Sequence, residues 1–260
     1  MKKKLIVTIM LGNDPSFSYT KKSFKAYARK INADFLSITK FKNNFKSIAP
    51  KSSFEKAILE KLNLGKLLND YERVLYVDAD ILITPKAKDI FSIYNDPNKI
   101  YMFNEGLLSS RKNELDLISS LLNKKIKDKT YFNAGVILFS KKSSFLNDIN
   151  EKSLAYFYKR SNFFEQTYIN YLYRADAIEF ASINKSFNRM SVSGKNNRRF
   201  LADFIHYAGN GYCPKKQRPF FILSDYCYLY QYSANLKEKL VFIVKYTYLR
   251  VLRIINKVRI

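Results

Sequence analysis

Short apolar runs alternate with amphipathic segments along this chain, and that alternation restricts the fold more than any other feature of the sequence. Residues 5–11 form an apolar, β-branched run between lysines and a Gly-Asn-Asp-Pro turn, which is typical of a strand covered on both faces. Apolar residues at helical spacing follow in 18–30, and 34–38 predicts a second strand. This β-α-β opening favours an α/β fold with a largely parallel sheet.

The same pattern continues through the middle of the chain. A helix is predicted over about 54–68, and the strongest strand signal of the sequence follows at 73–83. A polar helical stretch over about 113–128 precedes another strand at 131–139. We predict one α/β domain over 1–235, which suits a chain of 260 residues.

The last 25 residues, 236–260, differ in character from the domain that precedes them. Seven apolar residues can share one helical face, while seven Lys/Arg against one Glu give the segment a charge of +6. Two interpretations stand side by side. The segment is either a basic amphipathic helix on an anionic membrane surface or a helix packed on the domain with a solvated basic face.

The whole chain is strongly basic, because 46 Lys+Arg against 22 Asp+Glu give a formal net charge of +24. Such a balance indicates an acidic partner: nucleic acid, an anionic membrane or a phosphorylated small molecule. Abundant Lys, Asn, Ile, Phe and Tyr without Trp are also what A+T-rich codons produce, so the charge alone identifies no function. With 47% hydrophobic and 16% aromatic residues, intrinsic disorder is excluded.

The cysteines and the N-terminus bear on the cellular compartment. Cys213 and Cys227 show no C-x-x-C pattern, which predicts reduced thiols in a cytosolic protein. Residues 1–11 resemble a secretory signal superficially, but they lack an A-x-A cleavage site, so a buried first strand is the better interpretation. No run of 18 apolar residues exists, and we therefore predict no transmembrane helix.

Two carboxylates, Asp78 and Asp80, fall within the strongest strand signal. Residues two apart in a strand point the same way, so we expect both carboxylates at the carboxyl end of a strand, where open α/β sheets bind ligands. Paired carboxylates beside an apolar core repel each other, and a divalent cation relieves that repulsion. D-x-D is also common in surface turns, but the apolar run before it favours a metal site.

The single histidine of the chain, His206, is a candidate third ligand. A hydrogen-bonded structural histidine is the simpler interpretation, whereas a mixed oxygen and nitrogen shell would favour Mn²⁺ over Mg²⁺. Gly209 and Gly211 would allow a diphosphate to approach the backbone closely. Three cations downstream would supply charge for it: Lys215, Lys216 and Arg218.

Four sequence blocks occur together in a fixed order. They are V-L-Y-V-D-A-D-I at 74–81, F-N-A-G-V at 132–136, Glu-Gln at 165–166 followed by Asn170, and H-Y-A-G at 206–209. In this order and approximate spacing they resemble glycosyltransferase family 8, the retaining GT-A enzymes that include bacterial lipopolysaccharide galactosyl- and glucosyltransferases and glycogenin. The resemblance covers roughly 5–218. It implies a GT-A fold, with a Rossmann-like, mostly parallel sheet flanked by helices.

The resemblance also implies a role for each matched residue. Asp78, Asp80 and His206 would be the metal ligands, with Asp78 also near the donor ribose. Asn133 and Ala134 would contact the donor sugar.

Five more residues complete the implied donor site. Gln166, next to Glu165, would lie beside the anomeric carbon. Lys61 would face the donor sugar or diphosphate, with a solvated helix lysine as the alternative. Gly135 and Gly209 would lie against the donor.

Two departures from the family pattern stand out. The family lysine six residues after the histidine is Tyr212 here, and Lys215, with Lys216 the other nearby lysine, would restore the contact if the loop carried a three-residue insertion. Glu165 stands where Asp is usual, which lengthens the side chain and keeps the carboxylate.

The resemblance implies a metal-dependent, retaining hexosyltransferase. The expected donor is a UDP-sugar, with galactose and glucose the leading hexoses, and Mn²⁺ is the expected cofactor, with Mg²⁺ as the alternative. We expect the acceptor hydroxyl to attack from the leaving-group face rather than through a protein nucleophile. A lipopolysaccharide or other lipid-linked glycan would be the acceptor, and the enzyme would lie on the cytoplasmic face of the cell membrane.

Two other functions remain open on the sequence. A nucleic-acid-binding protein would explain the charge, but most Phe and Tyr lie in apolar periodic segments, so no nucleic-acid partner is expected. A relative that binds or hydrolyses nucleotide sugar without transfer is the second alternative. A dinucleotide-binding G-x-G-x-x-G after a strand and a P-loop are both missing from the sequence.

Overall fold

The computed structural model describes residues 2–42, 45–46, 48–143, 146, 149–175 and 179–230, together with positions 236, 240, 243, 244 and 247. The opening unit consists of β1 (Lys2–Ile9), α1 (Phe17–Lys30) and β2 (Asp34–Ile38), and β1 pairs in parallel with β2. Leu5, Ile6 and Val7 are at most 1% exposed. Both faces of β1 are therefore covered, as its uninterrupted apolar run predicts.

The rest of the chain adds six strands and six helices to the described structure. They are α2 (Ser53–Lys61), β3 (Tyr71–Val77), β4 (Ile81–Ile83), α3 (Ile90–Ile93), β5 (Ile100–Asn104), α4 (Lys112–Leu122), β6 (Phe132–Ser140), α5 (Glu151–Arg160), α6 (Phe164–Arg174), β7 (Phe180–Ser182), β8 (Phe204–His206) and α7 (Arg218–Leu229).

Six of the strands form one sheet in the order β2-β1-β3-β6-β5-β7. The pairs β1/β2, β1/β3 and β5/β7 are parallel, while β6 runs antiparallel to both of its neighbours. Successive residues of β1 pack into two different apolar clusters, with Leu5 and Val7 on one face and Ile6 on the other. The expected mostly parallel α/β sheet, flanked by helices on both faces, is confirmed.

The run 73–83 is not one strand, and here the sequence prediction is wrong. β3 ends at Val77, Asp78 to Asp80 form a turn, and β4 leaves the large sheet to pair antiparallel with β8. The two carboxylates converge because the turn is fixed at both ends: the Asp78 N–H donates to the Gly135 carbonyl, and the Asp80 carbonyl accepts from the Tyr207 N–H.

Two helices are shorter than their apolar patterns suggest. The helix predicted over 54–68 ends as α2 at Lys61 and continues as a 3₁₀ turn, Leu64–Asn69. The helix predicted over 113–128 ends at Leu122, because Asn123 adopts a left-handed conformation with φ of 49°. Asn tolerates that conformation and terminates helices as Gly does.

The proposed tail, 236–260, lies outside the described residues except at five positions. Those five are helical, and the apolar ones, Leu236, Leu240, Ile243 and Val244, are exposed. None of the helices in the described part of the chain has the length and hydropathy needed to span a bilayer.

Candidate active site

The pairing of β4 with β8 brings the histidine to the two carboxylates. Ile81 is the register partner of His206, so the end of β8 lies beside the Asp78 to Asp80 turn. The His206 Nε2 atom is 3.3 Å from Asp80 Oδ1 and 3.7 Å from Asp78 Oδ2. One ligand atom from each of the three residues lies within 4.8 Å of the others.

The tautomer of His206 is fixed by a hydrogen bond at Nδ1, on the side of the ring away from the carboxylates. Asn188 donates from Nδ2 to Asn133 Oδ1, which also accepts from the Gly135 N–H. The Asn188 oxygen therefore faces the imidazole, 2.7 Å from Nδ1, and Nδ1 must carry the proton. In the neutral ring this leaves the Nε2 lone pair facing the carboxylates, as a metal ligand requires.

Gly135 makes room for the imidazole. A Cβ atom on Gly135 would lie 2.3 Å from His206 Cε1 and 2.8 Å from its Nδ1. The absence of a side chain at Gly135 is thus explained by the packing of His206 against β6.

Lys61 projects from the end of α2 into the base of the site. Its ammonium lies 3.2 Å from Asp78 Oδ1, 3.2 Å from Glu165 Oε1 and 3.1 Å from the Ala134 carbonyl. Burial lowers the pKa of Lys61, but Asp78 and Glu165 raise it by more, so the group stays charged. The side chain is only 5% exposed, which excludes a solvated helix lysine.

Tyr76, the second-last residue of β3, holds Asp78 in place. The Tyr76 hydroxyl donates to Asp78 Oδ1 at 2.5 Å. Burial, together with the charge of Asp78, raises the pKa of Tyr76 well above its ordinary value, so the phenol remains a donor. Tyr76 is not among the site residues predicted from the sequence.

Glu105 is a second site residue that was not predicted from the sequence. It follows β5 and is 2% exposed. Its carboxylate accepts from Asn133 Nδ2 at 2.9 Å, from Gln166 Nε2 at 3.0 Å and from Arg111 Nε at 2.6 Å. The signal that could have found Glu105 is the one that marked Asp78, a carboxylate placed directly after an apolar strand.

The Gln166 amide has a single orientation. Its Oε1 accepts from the Ala134 N–H at 2.9 Å, while its Nε2 donates to Glu105. Asn170, one turn further along α6, bonds both backbone groups of Phe132. The start of α6 is thereby tied to the start of β6, and the structure brings Asn133, Ala134 and Gln166 together.

The loop after β8 and the start of α7 carry the three expected cations. The Lys215 ammonium lies 5.7 Å from the ring centroid of the exposed Phe54. Tyr212 donates its hydroxyl to the Arg189 carbonyl. Arg218 instead reaches the site, with one arm 2.9 Å from Asp80 Oδ2 and the other 2.8 Å from the carbonyl of Gly209, whose φ is 59°.

The three ligand residues fit a divalent cation of the Mg²⁺ or Mn²⁺ type. They offer two carboxylates from the turn, each about one quarter exposed, and one buried imidazole nitrogen from β8. Burial raises the pKa of Asp80, but His206 and Arg218 lower it by more, so the carboxylate is ionised. Oxygen ligands in this state suit a hard cation.

This geometry agrees with a family-level match of the sequence. The family model "Glycosyl transferase family 8" matches residues 8–212, which is most of the chain. The chain belongs to glycosyltransferase family 8. No curated protein matches it in sequence.

Solved structures of glycosyltransferases share the fold. A glycosyltransferase involved in glycosylation of the major capsid of PBCV-1 is 14% identical, with a TM-score of 0.56 over 85% of this chain and 98% of that one. The galactosyltransferase LgtC, solved with donor and acceptor sugar analogues, is 16% identical, with a TM-score of 0.53 over 90% of this chain and 99% of that one. Mouse xyloside xylosyltransferase 1 is 10% identical, with a TM-score of 0.50 over 82% and 100%. These likenesses confirm the GT-A fold.

Membership of family 8 makes the protein a glycosyltransferase, with a nucleotide-sugar donor and a glycan acceptor. Enzymes of the family generally depend on a divalent metal, and the Asp78, Asp80 and His206 cluster is compatible with one.

Proposed function

We propose that this family 8 enzyme transfers a hexose, with galactose and glucose the leading candidates, from a UDP-sugar to a lipid-linked glycan such as lipopolysaccharide. The observation that carries the proposal is the convergence of Asp78 and Asp80, from one turn, and His206, from the end of β8, on one point beside Lys61 and Gln166. A metal site, a buried cation and a sugar-facing amide are the three parts that nucleotide-sugar chemistry needs.

Asp78, Asp80 and His206 would hold the metal ion, with Mn²⁺ favoured and Mg²⁺ the alternative. When bound, such an ion supplies positive charge that stabilises a departing nucleoside diphosphate. Lys61 adds a fixed charge in a buried position, where electrostatic interactions are stronger than in water. Because its hydrogen bonds to Asp78, Glu165 and Ala134 are already made, little reorganisation is needed during the reaction.

The acceptor hydroxyl would attack on the face that the diphosphate leaves, with a diphosphate oxygen taking its proton. Two carboxylates lie close to Gln166, and both are committed to cations: Glu105 to Arg111 at 2.6 Å and Glu165 to Lys61 at 3.2 Å. An ion-paired, hydrogen-bonded carboxylate is a poor nucleophile, and an amide is a poorer one. This pairing supports front-face transfer with retention over a double displacement.

The remaining site residues would bind the donor. Asn133, Ala134 and Gly135 line the start of β6 beside Gln166, where the sugar would lie. Gly209 and Lys215 belong to the loop that would cover the diphosphate. A peripheral position on the cytoplasmic face of the membrane, held by 236–260, would bring the enzyme to a lipid-linked acceptor.

A thermal-shift panel of UDP-, GDP- and ADP-sugars with and without Mn²⁺ tests the proposed donor. At a ligand concentration of 100 Kd, binding should stabilise the protein by about 2.7 kcal/mol, and only when Mn²⁺ is present. We expect the largest shift with UDP-galactose or UDP-glucose.

The Asp80→Asn variant keeps the volume of the ligand and removes its charge, so its metal-dependent shift and its transfer activity should both be lost. Asp116→Asn, on the exposed side of α4, is the matched control and should behave as wild type. If no nucleotide sugar shifts the wild-type transition in a metal-dependent way, the proposed function is wrong.

A further inference from the structure

The Arg218 guanidinium shares a carboxylate with the candidate metal site. Arg218 is the first residue of α7, and one terminal nitrogen of its guanidinium lies 2.9 Å from Asp80 Oδ2. The other oxygen of that carboxylate, Oδ1, is 3.3 Å from His206 Nε2. Arg218 therefore holds one oxygen of Asp80, and the other oxygen lies on the side of His206.

Arg218 also has donor capacity that the protein does not use. Its second arm donates to the Gly209 carbonyl at 2.8 Å. Its Nε–H is buried and has no hydrogen-bond partner among the described residues. A buried guanidinium donor without an acceptor is costly, and a movement of the side chain toward an anion of a ligand would allow this donor to be paired.

The loop that carries Arg218 has space for such an anion. Gly209 has a positive φ, and a side chain built on it would meet nothing within 4 Å. The neighbouring Lys215 ammonium lies over Phe54 instead. Of the three loop cations, Lys215, Lys216 and Arg218, it is Arg218 that the structure places against both Asp80 and Gly209.

We propose that Arg218 couples metal binding to donor binding by exchanging Asp80 for an oxygen of the nucleoside diphosphate. Without donor, the guanidinium competes with the metal ion for Asp80. With donor, the diphosphate becomes its acceptor and releases the carboxylate to the metal. This inference rests on the proposed nucleotide-sugar donor.

The formal charges of the site agree with such an exchange. Asp78, Asp80 and Glu165 carry three negative charges against two positive charges on Lys61 and Arg218, which leaves −1. A divalent cation changes this to +1, and the two charges of a nucleotide-sugar diphosphate return it to −1. With metal and donor both bound, the net charge of the site is again −1. Bound metal therefore favours binding of the donor, and bound donor favours binding of the metal. By thermodynamic linkage, the factor by which Mn²⁺ strengthens donor binding equals the factor by which donor strengthens Mn²⁺ binding.

Two binding measurements on the full chain test the exchange. Mn²⁺ alone is titrated by electron paramagnetic resonance, and UDP is titrated calorimetrically with EDTA or with saturating Mn²⁺. For the wild type we expect Mn²⁺ to raise UDP affinity at least about fivefold. Arg218→Gln should bind Mn²⁺ alone more tightly, bind UDP with Mn²⁺ more weakly, and lose most of the coupling factor.

Lys216→Gln removes the same charge from an exposed position of the same loop and should match wild type in both titrations. Arg218→Lys is the second variant, in case the Gln variant does not fold. A lysine cannot hold Asp80 and Gly209 at once, so it too should bind Mn²⁺ alone more tightly than wild type. If the wild type binds UDP and the Arg218 variants match Lys216→Gln, the exchange is wrong and the proposed function stands. If the wild type binds no nucleoside diphosphate at all, both are wrong.

Discussion

Glu105 shows how a single buried side chain can position a site without belonging to any sequence motif. It holds the amide groups of Asn133 and Gln166 from behind, and Arg111 balances its charge. Because the Gln166 amide can then point only one way, the face presented to a sugar is fixed before the donor binds.

Replacement of Glu105 by Gln should lower kcat by up to about a hundredfold, since a small misplacement of a reacting group costs this much. A Gln amide presents a donor where Glu105 now accepts from Asn133 and Gln166, so one of those amides must turn. Initial-rate kinetics should show the loss in kcat with a smaller change in the KM for donor.

Glu72→Gln, at the exposed start of β3, is the control and should leave both constants unchanged. If Glu105→Gln raises KM with kcat intact, Glu105 contributes to donor affinity and not to positioning.

Site residues were predictable where a charged or metal-ligating side chain lies in a recognisable motif. They were not predictable where a residue acts only by orienting another side chain. Asp78, Asp80, His206 and Lys61 carry charge or a lone pair at recognisable spacings, and the structure brings all four together. Asn188 is uncharged and lies in a 3₁₀ turn, so its hydrogen bond to His206 depends on tertiary contacts that no local pattern contains.

At the scale of elements, the site depends on how closely β6 approaches β8. The approach is set at Gly135, where the His206 ring fills the space that a side chain would take. Gly135 follows Asn133 by two residues, and its N–H donates to the Asn133 side chain. β6 thus carries the residues that we propose face the sugar and also the gap that the histidine fills.

Gly135→Ala should displace the His206 ring and destabilise the fold by about 1–3 kcal/mol, as overpacking of a well-packed core does. Denaturant unfolding gives the stability change, and Mn²⁺ titration gives the loss of the imidazole ligand. In a His206→Ala background the two contacts with the imidazole are gone and only the contact with Asn133 Oδ1, at 2.9 Å, remains, so the same substitution should cost less. Equal costs in the two backgrounds would show that Gly135 is needed for another reason.

The elements themselves follow from periodicity except where a turn interrupts an apolar run. β1, α1 and β2 match their predicted ranges to within a few residues. The break between β3 and β4 was not predicted, because the residues on both sides of Asp78 to Asp80 are equally apolar and the pairing partners of β4 lie 121 to 125 positions later in the chain. Local pattern contains no information about a contact at that distance.

At the scale of the whole molecule, the charge has more than one use. Subtracting the +6 of 236–260 from the total of +24 leaves +18 on the rest of the chain. A few of these cations, Lys61 and Arg218 among them, face the carboxylates of the site. The other cations are available to bind an anionic surface. Four apolar side chains of the tail are also exposed.

Replacement of three tail cations by Gln, at Arg250, Arg253 and Lys257, should weaken binding of the full chain to vesicles rich in anionic lipid. At about 1 kcal/mol for each cation near the surface, partitioning should fall roughly a hundredfold. Co-sedimentation at low and at physiological salt measures it, since added salt should weaken wild-type binding as well.

Three exposed cations on α1 provide the matched control for the tail variant: Lys22, Lys25 and Arg29. Their replacement by Gln removes the same charge and should leave most of the vesicle binding. If the α1 variant loses as much binding as the tail variant, then net charge and not the tail attaches the protein to membranes.

The central claim is that Asp78, Asp80 and His206 hold a metal ion at which the nucleotide diphosphate binds. The most direct measurement is a manganese anomalous difference map from crystals of the full chain grown with MnCl₂ and UDP. We predict one strong peak in contact with the two carboxylates and His206 Nε2, and diphosphate density beside it. Nucleotide density with no anomalous peak between these three residues, or with the peak elsewhere, would contradict the claim.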